Sequence, residues 1–143
     1  MKYRIEIVPD QTEDLLISAR ESSPVLEQIE KLLRETPDVL YGYGEEGIVR
    51  LTPEIVYGFF TEGNRVYASV RDGKLQVKER LYTLEEMFPE DFVKVNQSCL
   101  INIAKIRKFD TSIGGSLLVI LQNGFRDYVS RRQMKIVKER LGL

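Results

Sequence analysis

Three short polar segments carry the side chains best suited to reading a nucleic acid. They are residues 62–65, 94–98 and 130–133, and each contains an Asn, Gln or Arg side chain. Asn and Gln can pair bidentately with adenine, and Arg with guanine, in the major groove of a duplex. Taken singly, Asn64 is better explained as a residue that turns favour, and Gln97 as a residue that forms a local hydrogen bond with the backbone. The segments are therefore candidates only as a set.

The charge of the chain is divided unevenly along its 143 residues. The total is -1, but residues 1–44 and 45–91 each carry -4, whereas residues 92–143 have ten basic and three acidic side chains, a net of +7. Such asymmetry indicates a polyanionic partner, because the field at one face matters more than the total. A basic surface that is merely solvated is an equally good explanation from charge alone.

The residue types that most enzymes need are scarce. The chain has no histidine, which removes imidazole general bases and the common His-containing zinc sites. Adjacent carboxylates such as Glu85 and Glu86 are better explained as solvated charges than as a general acid and base. We predict that the protein is not an enzyme and has no cofactor and no metal site. Cys99, the single cysteine, lies beside apolar residues and is expected to be buried and inert.

Turn-forming pairs divide residues 45–143 into short strands. Asn123-Gly124 is the strongest signal and predicts a type I′ hairpin turn, and three other Gly-containing pairs separate runs of apolar alternation. The fold class is therefore predicted as mainly β with short helices (α+β), with mostly antiparallel pairing. The predicted strands are residues 55–61, 65–71, 74–78, 105–113, 117–122 and 125–129.

Two short helices interrupt these strands. Thr83 with Glu86, and Ser130 with Gln133, have the spacing of a capping box. They predict a brief helical turn that ends near residue 88, and a helix over about residues 131–141. Residues 94–98 are expected to be irregular.

Residues 1–44 predict a small ββαβ unit, with the joint to residues 45–143 at the glycines and glutamates of 42–47. Residues 2–7 and 14–20 are expected to be strands, and residues 39–43 a third strand. Ser23-Pro24 predicts an N-cap followed by proline at the first helical position, and Thr36-Pro37 the end of that helix. The unit could pack on the larger domain or mediate dimerisation.

An ordered set of motifs resembles the LytTR DNA-binding domain over about residues 48–141. The set comprises residues 81–89 (LYTLEEMFP), 92–102 (FVKVNQSCLIN), Lys105-Ile106, 121–124 (LQNG) and 129–132 (VSRR). The resemblance implies an elongated arrangement of small antiparallel sheets whose loops enter major grooves of duplex DNA. It places base contacts on Asn64, Gln97 and Arg132. The chain departs from the family pattern at Asn96, where histidine is usual, at Gln97, where arginine is frequent, and at Cys99, where an aromatic residue is common.

The function predicted from residues and resemblance together is that of a cytoplasmic transcriptional regulator that binds duplex DNA, as a homodimer or a pair on repeated half-sites. The resemblance also implies a small membrane protein as a possible inhibitor. One alternative is a protein-interaction or anti-regulator module whose basic face binds an acidic protein. Another is single-strand binding by aromatic residues of strands 55–61 and 65–71. Phosphate contacts are predicted for Arg65, Lys94, Ser98, Lys105, Arg107, Lys108, Arg131 and Lys135.

Overall fold

The structure is a computed structural model that describes residues 4–5, 17–35, 39–111 and 114–143. The chain divides into two compact units, residues 1–35 and 36–143. No helix within the described ranges is both long enough and apolar enough to cross a membrane.

The helices are α1 (Pro24–Glu35), α2 (Leu81–Met87) and α3 (Met134–Leu141), with a 3-10 turn at Ile103–Lys105. The strands are β1 (Leu40–Gly44), β2 (Gly47–Leu51), β3 (Gly58–Glu62), β4 (Arg65–Val70), β5 (Gly73–Val77), β6 (Phe92–Asn96), β7 (Cys99–Asn102), β8 (Ile106–Asp110), β9 (Leu117–Leu121) and β10 (Arg126–Val129).

The first unit contains the predicted helix. The Leu26 N–H donates to Ser23 Oγ at 3.3 Å, which confirms Ser23 as the cap, and Pro24 is the first helical residue. The predicted strand over residues 2–7 lies almost wholly outside the described residues. Of the predicted strand over residues 14–20, the described part, residues 17–20, is not in a strand.

The larger unit is built on a seven-stranded antiparallel sheet with the order β2-β1-β5-β4-β3-β7-β6. β1 pairs with β2 along its whole length and meets β5 where Tyr43 lies opposite Gln76. The strand at residues 39–43 was therefore predicted correctly but assigned to the wrong unit. The boundary falls near residue 35 rather than between residues 44 and 45, because the partners of β1 lie downstream in the chain.

Both faces of the sheet are covered at its central strands β3 and β7. Phe59 and Leu100 point to the face covered by α2, whereas their neighbours Phe60 and Ile101 point to the other face, which packs on the three-stranded sheet β10-β9-β8 and on α3. Alternate burial of this kind makes the central strands apolar on successive residues. The first core contains Leu40, Leu51, Val56, Phe59, Ala68, Val77, Leu84, Phe92 and Leu100, and the second contains Val93, Val95, Cys99, Ile101, Leu117, Val119, Leu121, Val129 and Val137.

The β9–β10 hairpin forms as predicted, but with a different loop. The Gly124 N–H donates to the Leu121 carbonyl at 3.0 Å, and Gly124 has φ +90°. No non-glycine residue in the described ranges has positive φ, which excludes the type I′ turn predicted for Asn123-Gly124. The pattern is that of a longer hairpin loop closed by a glycine bulge. The Asn123 side chain instead donates to Ser69 Oγ and the Val70 carbonyl, both at 2.9 Å, and so ties the two sheets together.

Three further local predictions are corrected. α2 begins at Leu81 after Arg80, so Thr83 lies inside the helix and does not cap it. α3 begins at Met134, because the Gln133 N–H donates to the Ser130 carbonyl and closes a separate turn before the helix. Residues 94–98, predicted as irregular, belong to a β6–β7 hairpin in which Gln97 and Ser98 form the turn, and the ladder shifts register between Lys94 and Asn96.

Candidate nucleic-acid interface

Two of the three polar segments form turns at the same end of the central strands of the seven-stranded sheet. β3 and β7 pair antiparallel with Phe60 opposite Cys99, and the Thr61 N–H continues the ladder to the Ser98 carbonyl at 3.0 Å. The chain then turns at Gly63-Asn64 beyond β3 and at Gln97-Ser98 before β7. The two turns therefore lie side by side. Their centres are about 10 Å apart, since neighbouring strands are spaced by roughly 4.8 Å.

The third segment lies against the second. The Ser130 N–H donates to the Val95 carbonyl at 2.8 Å, and the Asn96 side-chain amide donates to the Tyr128 carbonyl at 2.8 Å. These two bonds bring the end of β10 alongside the end of β6. Residues 130–132 thus extend the row of turns at this end of the strands. We call this row the reading edge and define it as residues 62–65, 96–98 and 130–132.

The three predicted base-contacting residues all lie on the reading edge. Asn64, Gln97 and Arg132 are exposed. No hydrogen bond or ion pair joins the side chain of any of them to another residue of the described ranges. Their polar groups are therefore available to a partner. The fold brings together three residues that are more than 30 positions apart in sequence.

Five of the eight predicted phosphate-contacting residues are on the reading edge or next to it. Arg65 follows Asn64, Ser98 follows Gln97, and Arg131 precedes Arg132; all three are exposed. Lys94 is half-buried on β6, opposite Leu100, and Lys135 is exposed in the first turn of α3.

The other three predicted phosphate contacts lie elsewhere. Lys105 follows β7 at the end opposite Gln97, and its Nζ lies 4.6 Å from the centre of the Tyr57 ring. Ile106 pairs with Leu121, at the end of the small sheet away from Ser130, so Arg107 also lies far from the reading edge. Lys108 lies opposite Ile120 in the middle of the same sheet.

The basic excess of residues 92–143 is therefore not gathered on one face. Arg140 shows why, because its guanidinium donates to the carbonyls of Phe92 at 2.8 Å, Pro89 at 3.0 Å and Glu90 at 3.3 Å. This arginine fixes α3 to the loop before β6. Charge counted along the sequence cannot separate such a structural cation from one that meets a ligand.

The aromatic residues considered for single-strand stacking are buried to different extents. Phe59 is fully buried, with its ring centroid 4.9 Å from that of Phe92. Phe60 packs between Tyr67, at 5.7 Å, and Phe125, at 5.1 Å. The two phenylalanines are therefore packed among other rings, whereas Tyr57 and Tyr67 are half-buried, with the ammonium groups of Lys105 and Lys74 at 4.6 and 4.5 Å from their ring centres.

Asn96 lies on the reading edge but is not among the residues predicted to contact DNA. It occupies the last position of β6 and accepts a hydrogen bond on Oδ1 from the Ser98 N–H at 2.8 Å. An asparagine just before a turn that contains no glycine or proline is a recognised signal for this side-chain bond. That signal was present in the sequence.

Cys99 is buried in the second core, which agrees with the predicted inert thiol. Burial raises the pKa of the Cys99 thiol well above its ordinary value, and the nearby Asp127 raises it further. Since only the thiolate is a good nucleophile, a raised pKa lowers reactivity at any given pH. We expect the native protein not to react with Ellman's reagent near pH 8 over a period in which the urea-unfolded protein reacts completely. Rapid labelling of the native protein would contradict this.

Comparisons with known proteins identify the family and the fold of the larger unit. The family model described as the LytTr DNA-binding domain matches residues 46–142. The chain belongs to the LytTR family. A solved LytTr DNA-binding domain, from a Bacillus cereus protein described as a methyl-accepting/DNA response regulator, has a TM-score of 0.68 at 18% identity and covers 75% of this chain and 99% of its own. The predicted fold class, mainly β with short helices, is confirmed as the LytTR fold.

Relatives with transcriptional names lie in Staphylococcus aureus. An uncharacterised HTH-type transcriptional regulator of strain bovine RF122 / ET3-1 is 35% identical over 78 residues, which are 54% of this chain and 53% of the relative. An uncharacterised HTH-type transcriptional regulator of strain NCTC 8325 / PS 47 is 33% identical over 78 residues, which again are 54% of this chain and 53% of the relative. The LytTR chain thus matches about half the length of these relatives.

Proposed function

We propose that this LytTR protein is a transcriptional regulator that binds duplex DNA with sequence preference and reads bases with Asn64, Gln97 and Arg132. The observation that carries the proposal is the convergence of these three exposed side chains on the reading edge. Their chemistry suits the task, because amide and guanidinium groups form paired hydrogen bonds with base edges. The family match to a DNA-binding domain over residues 46–142 supports the same conclusion.

The length of the reading edge suggests how it meets a duplex. From Asn64 to Arg132 the edge crosses β4, β3, β7 and β6 and then residues 130–132, about 15–20 Å at ordinary strand spacing. A major groove is about 12 Å wide. We propose that the edge reaches across a phosphate backbone, so that the end near Asn64 and the end near Arg132 contact the duplex on either side of it.

Phosphate contacts are proposed for the cationic and hydroxyl residues that border the reading residues. Arg65, Ser98 and Arg131 each adjoin a reading residue in sequence, and Lys94 and Lys135 lie within a few residues of the edge. These groups would set the register of the protein on the duplex without reading sequence. Lys105, Arg107 and Lys108 are left out of this set because they lie away from the reading edge.

The proposal is tested by selection and competition. Random-sequence duplexes are enriched on the full chain, and binding of the enriched duplex is then competed with unrelated duplex and with its own single strands at several salt concentrations. We expect the enriched duplex to win over both competitors at every salt concentration. Preference for single strands, or failure to enrich any sequence, would overturn the proposal. In the second case the competing explanation, a basic face that binds an acidic protein, would remain.

The salt dependence separates the cations of the reading edge from those elsewhere. The slope of log K against log salt is negative. We expect Arg131→Ala to reduce its magnitude by about 0.9, the contribution of one neutralised phosphate. Lys105→Ala is the matched control and should leave the slope unchanged, since its ammonium lies over Tyr57 at the opposite end of β7. Equal slope changes for the two variants would show that the contact surface extends beyond the reading edge.

We further propose that two copies act together on repeated half-sites, that the protein works in the cytoplasm, and that a small membrane protein could inhibit it. The pairing and the inhibitor rest on the resemblance noted from the sequence, and the cytoplasmic location rests on the single cysteine, which fits a reducing compartment. Residues 1–35 form a unit of their own and are the part of the chain proposed for dimerisation or regulation. Sedimentation of the chain with and without a duplex carrying two half-sites would test the pairing, and a single copy per duplex would contradict it.

A further inference from the structure

We propose that Asn96 is a positioning residue, which locks the Gln97-Ser98 turn and the segment 128–132 into one fixed arrangement. The proposal rests on the proposed function, because it concerns how the reading edge presents its side chains to DNA. It assigns to Asn96 a role in base selection that is exerted through Gln97 and Arg132 rather than by contact with a base.

The two polar atoms of the Asn96 side chain bind in two directions. Oδ1 accepts from the Ser98 N–H at 2.8 Å and so fixes the turn that carries Gln97. Nδ2 donates to the Tyr128 carbonyl at 2.8 Å and so fixes the end of β10, four residues before Arg132. The preceding residue, Val95, adds a third bond when its carbonyl accepts from the Ser130 N–H at 2.8 Å. Two consecutive residues of β6 therefore hold both reading segments.

Local sequence alone does not fix either segment. The Gln97-Ser98 turn contains no glycine or proline, and the ladder between β6 and β7 shifts register between Lys94 and Asn96. Residues 130–133 lie between the end of β10 and the start of α3 and belong to neither. Without the Asn96 bonds each segment could sample other arrangements, and the ordering of its side chain would have to occur on binding.

A direct base contact by Asn96 is the main competing explanation. Asn96 is half-buried, whereas Gln97 is exposed, and its Oδ1 and Nδ2 already have partners at short distances within the protein. A residue that reads its own base should contribute independently of its neighbours. A residue that positions Gln97 and Arg132 should lose most of its effect once both are gone, because the three residues then act as one unit.

The first test measures binding to the enriched duplex and to its full set of single base-pair variants. We expect Asn96→Ala to weaken binding to the enriched duplex about 5- to 20-fold and to relax preference only at the base pairs that Gln97→Ala and Arg132→Ala also relax. In the double Gln97→Ala, Arg132→Ala background the same change should weaken binding by no more than about 2-fold. Relaxed preference at a base pair of its own, or the full loss in both backgrounds, would overturn the proposal.

Asn123→Ala is the matched control. Asn123 makes the same kinds of bond, accepting from the Phe125 N–H at 3.0 Å and donating to Ser69 Oγ and the Val70 carbonyl, but at the opposite end of the small sheet. It should lower stability and leave the pattern of base preference unchanged. A similar change of preference in both variants would show a general loss of packing rather than positioning.

The second test needs no DNA and separates failure of the proposal from failure of the proposed function. Amide exchange by NMR in the free protein should be faster at Ser98 and Ser130 in Asn96→Ala, and unchanged at Phe125. Asn96→Asp keeps the acceptor for Ser98 but places a second carboxylate oxygen against the Tyr128 carbonyl, so only Ser130 should exchange faster. If both amides exchange as in the wild type, Asn96 does not position the segments. If they change as expected but no duplex is preferred, the proposed function fails and the coupling stands.

Discussion

Replacement of Phe59 with alanine is expected to lower the free energy of unfolding by about 3–5 kcal/mol, the usual range for a fully buried phenylalanine. Phe59 has no exposed surface, and its ring packs on those of Phe92, at 4.9 Å, and Phe88, at 6.3 Å. The cavity would open between β3, α2 and β6, which meet at this cluster. A typical domain has a total stability of about 5–15 kcal/mol, so a large part of it would be lost.

The measurement is urea unfolding followed by far-UV circular dichroism, which suits a chain without tryptophan. Tyr82→Ala is the control, because Tyr82 lies on α2 with 60% of its surface exposed. It should change the free energy of unfolding by no more than about 0.5 kcal/mol. A loss below about 1 kcal/mol in Phe59→Ala would contradict the two-core packing, since only a site that collapses fully around the missing ring gives so small a value.

The hairpins of the larger unit could be predicted because their signals are local. Gly63-Asn64, Asp72-Gly73 and Asn123-Gly124 each separate strands that the structure shows paired. Glycine at a turn marks a position that needs positive φ, and that requirement does not depend on distant residues. The β6–β7 hairpin escaped prediction because its turn, Gln97-Ser98, contains neither glycine nor proline.

The domain boundary could not be predicted in the same way. β1 was found at the right residues, but its attachment depends on the pairing of Tyr43 with Gln76, which are far apart in the chain. Capping-box spacing at Thr83 and at Ser130 also misled, because tertiary packing places the helix starts at Leu81 and Met134. Such spacing is a weak local preference, and packing overrides it.

Candidate residues for the site could be named from the sequence, but their arrangement could not. Hydrogen-bonding chemistry and the resemblance to the LytTR family selected Asn64, Gln97 and Arg132, and the structure places all three on one edge. Three of the predicted phosphate-contacting cations lie away from the reading edge, since a lysine packed over Tyr57 and one beside a ligand look alike in sequence. Only the fold shows which of the cations lie next to Asn64, Gln97 and Arg132.

Arg132→Ala is expected to weaken binding to the enriched duplex by about 1–3 kcal/mol, which is roughly 5- to 150-fold, and to remove discrimination at one base pair. Arg132 is exposed at the end of the reading edge, and no described residue engages its guanidinium. Its five N–H donors are therefore free to form the paired bonds that guanine accepts on O6 and N7. Titration against all single base-pair variants of the enriched duplex measures both effects.

Arg132→Lys distinguishes base reading from charge. Lysine keeps the positive charge but lacks the planar fork. We therefore expect Arg132→Lys to keep the salt slope of the wild type but to lose much of its discrimination at that base pair. Arg71→Ala is the matched control. Arg65 is the first residue of β4, whereas Arg71 is exposed just after its last residue and so lies away from the reading edge. It should leave affinity and preference unchanged. An equal loss on every duplex in Arg132→Ala, restored by lysine, would mean that Arg132 meets a phosphate, and base reading at this edge would then rest on Asn64 and Gln97 alone.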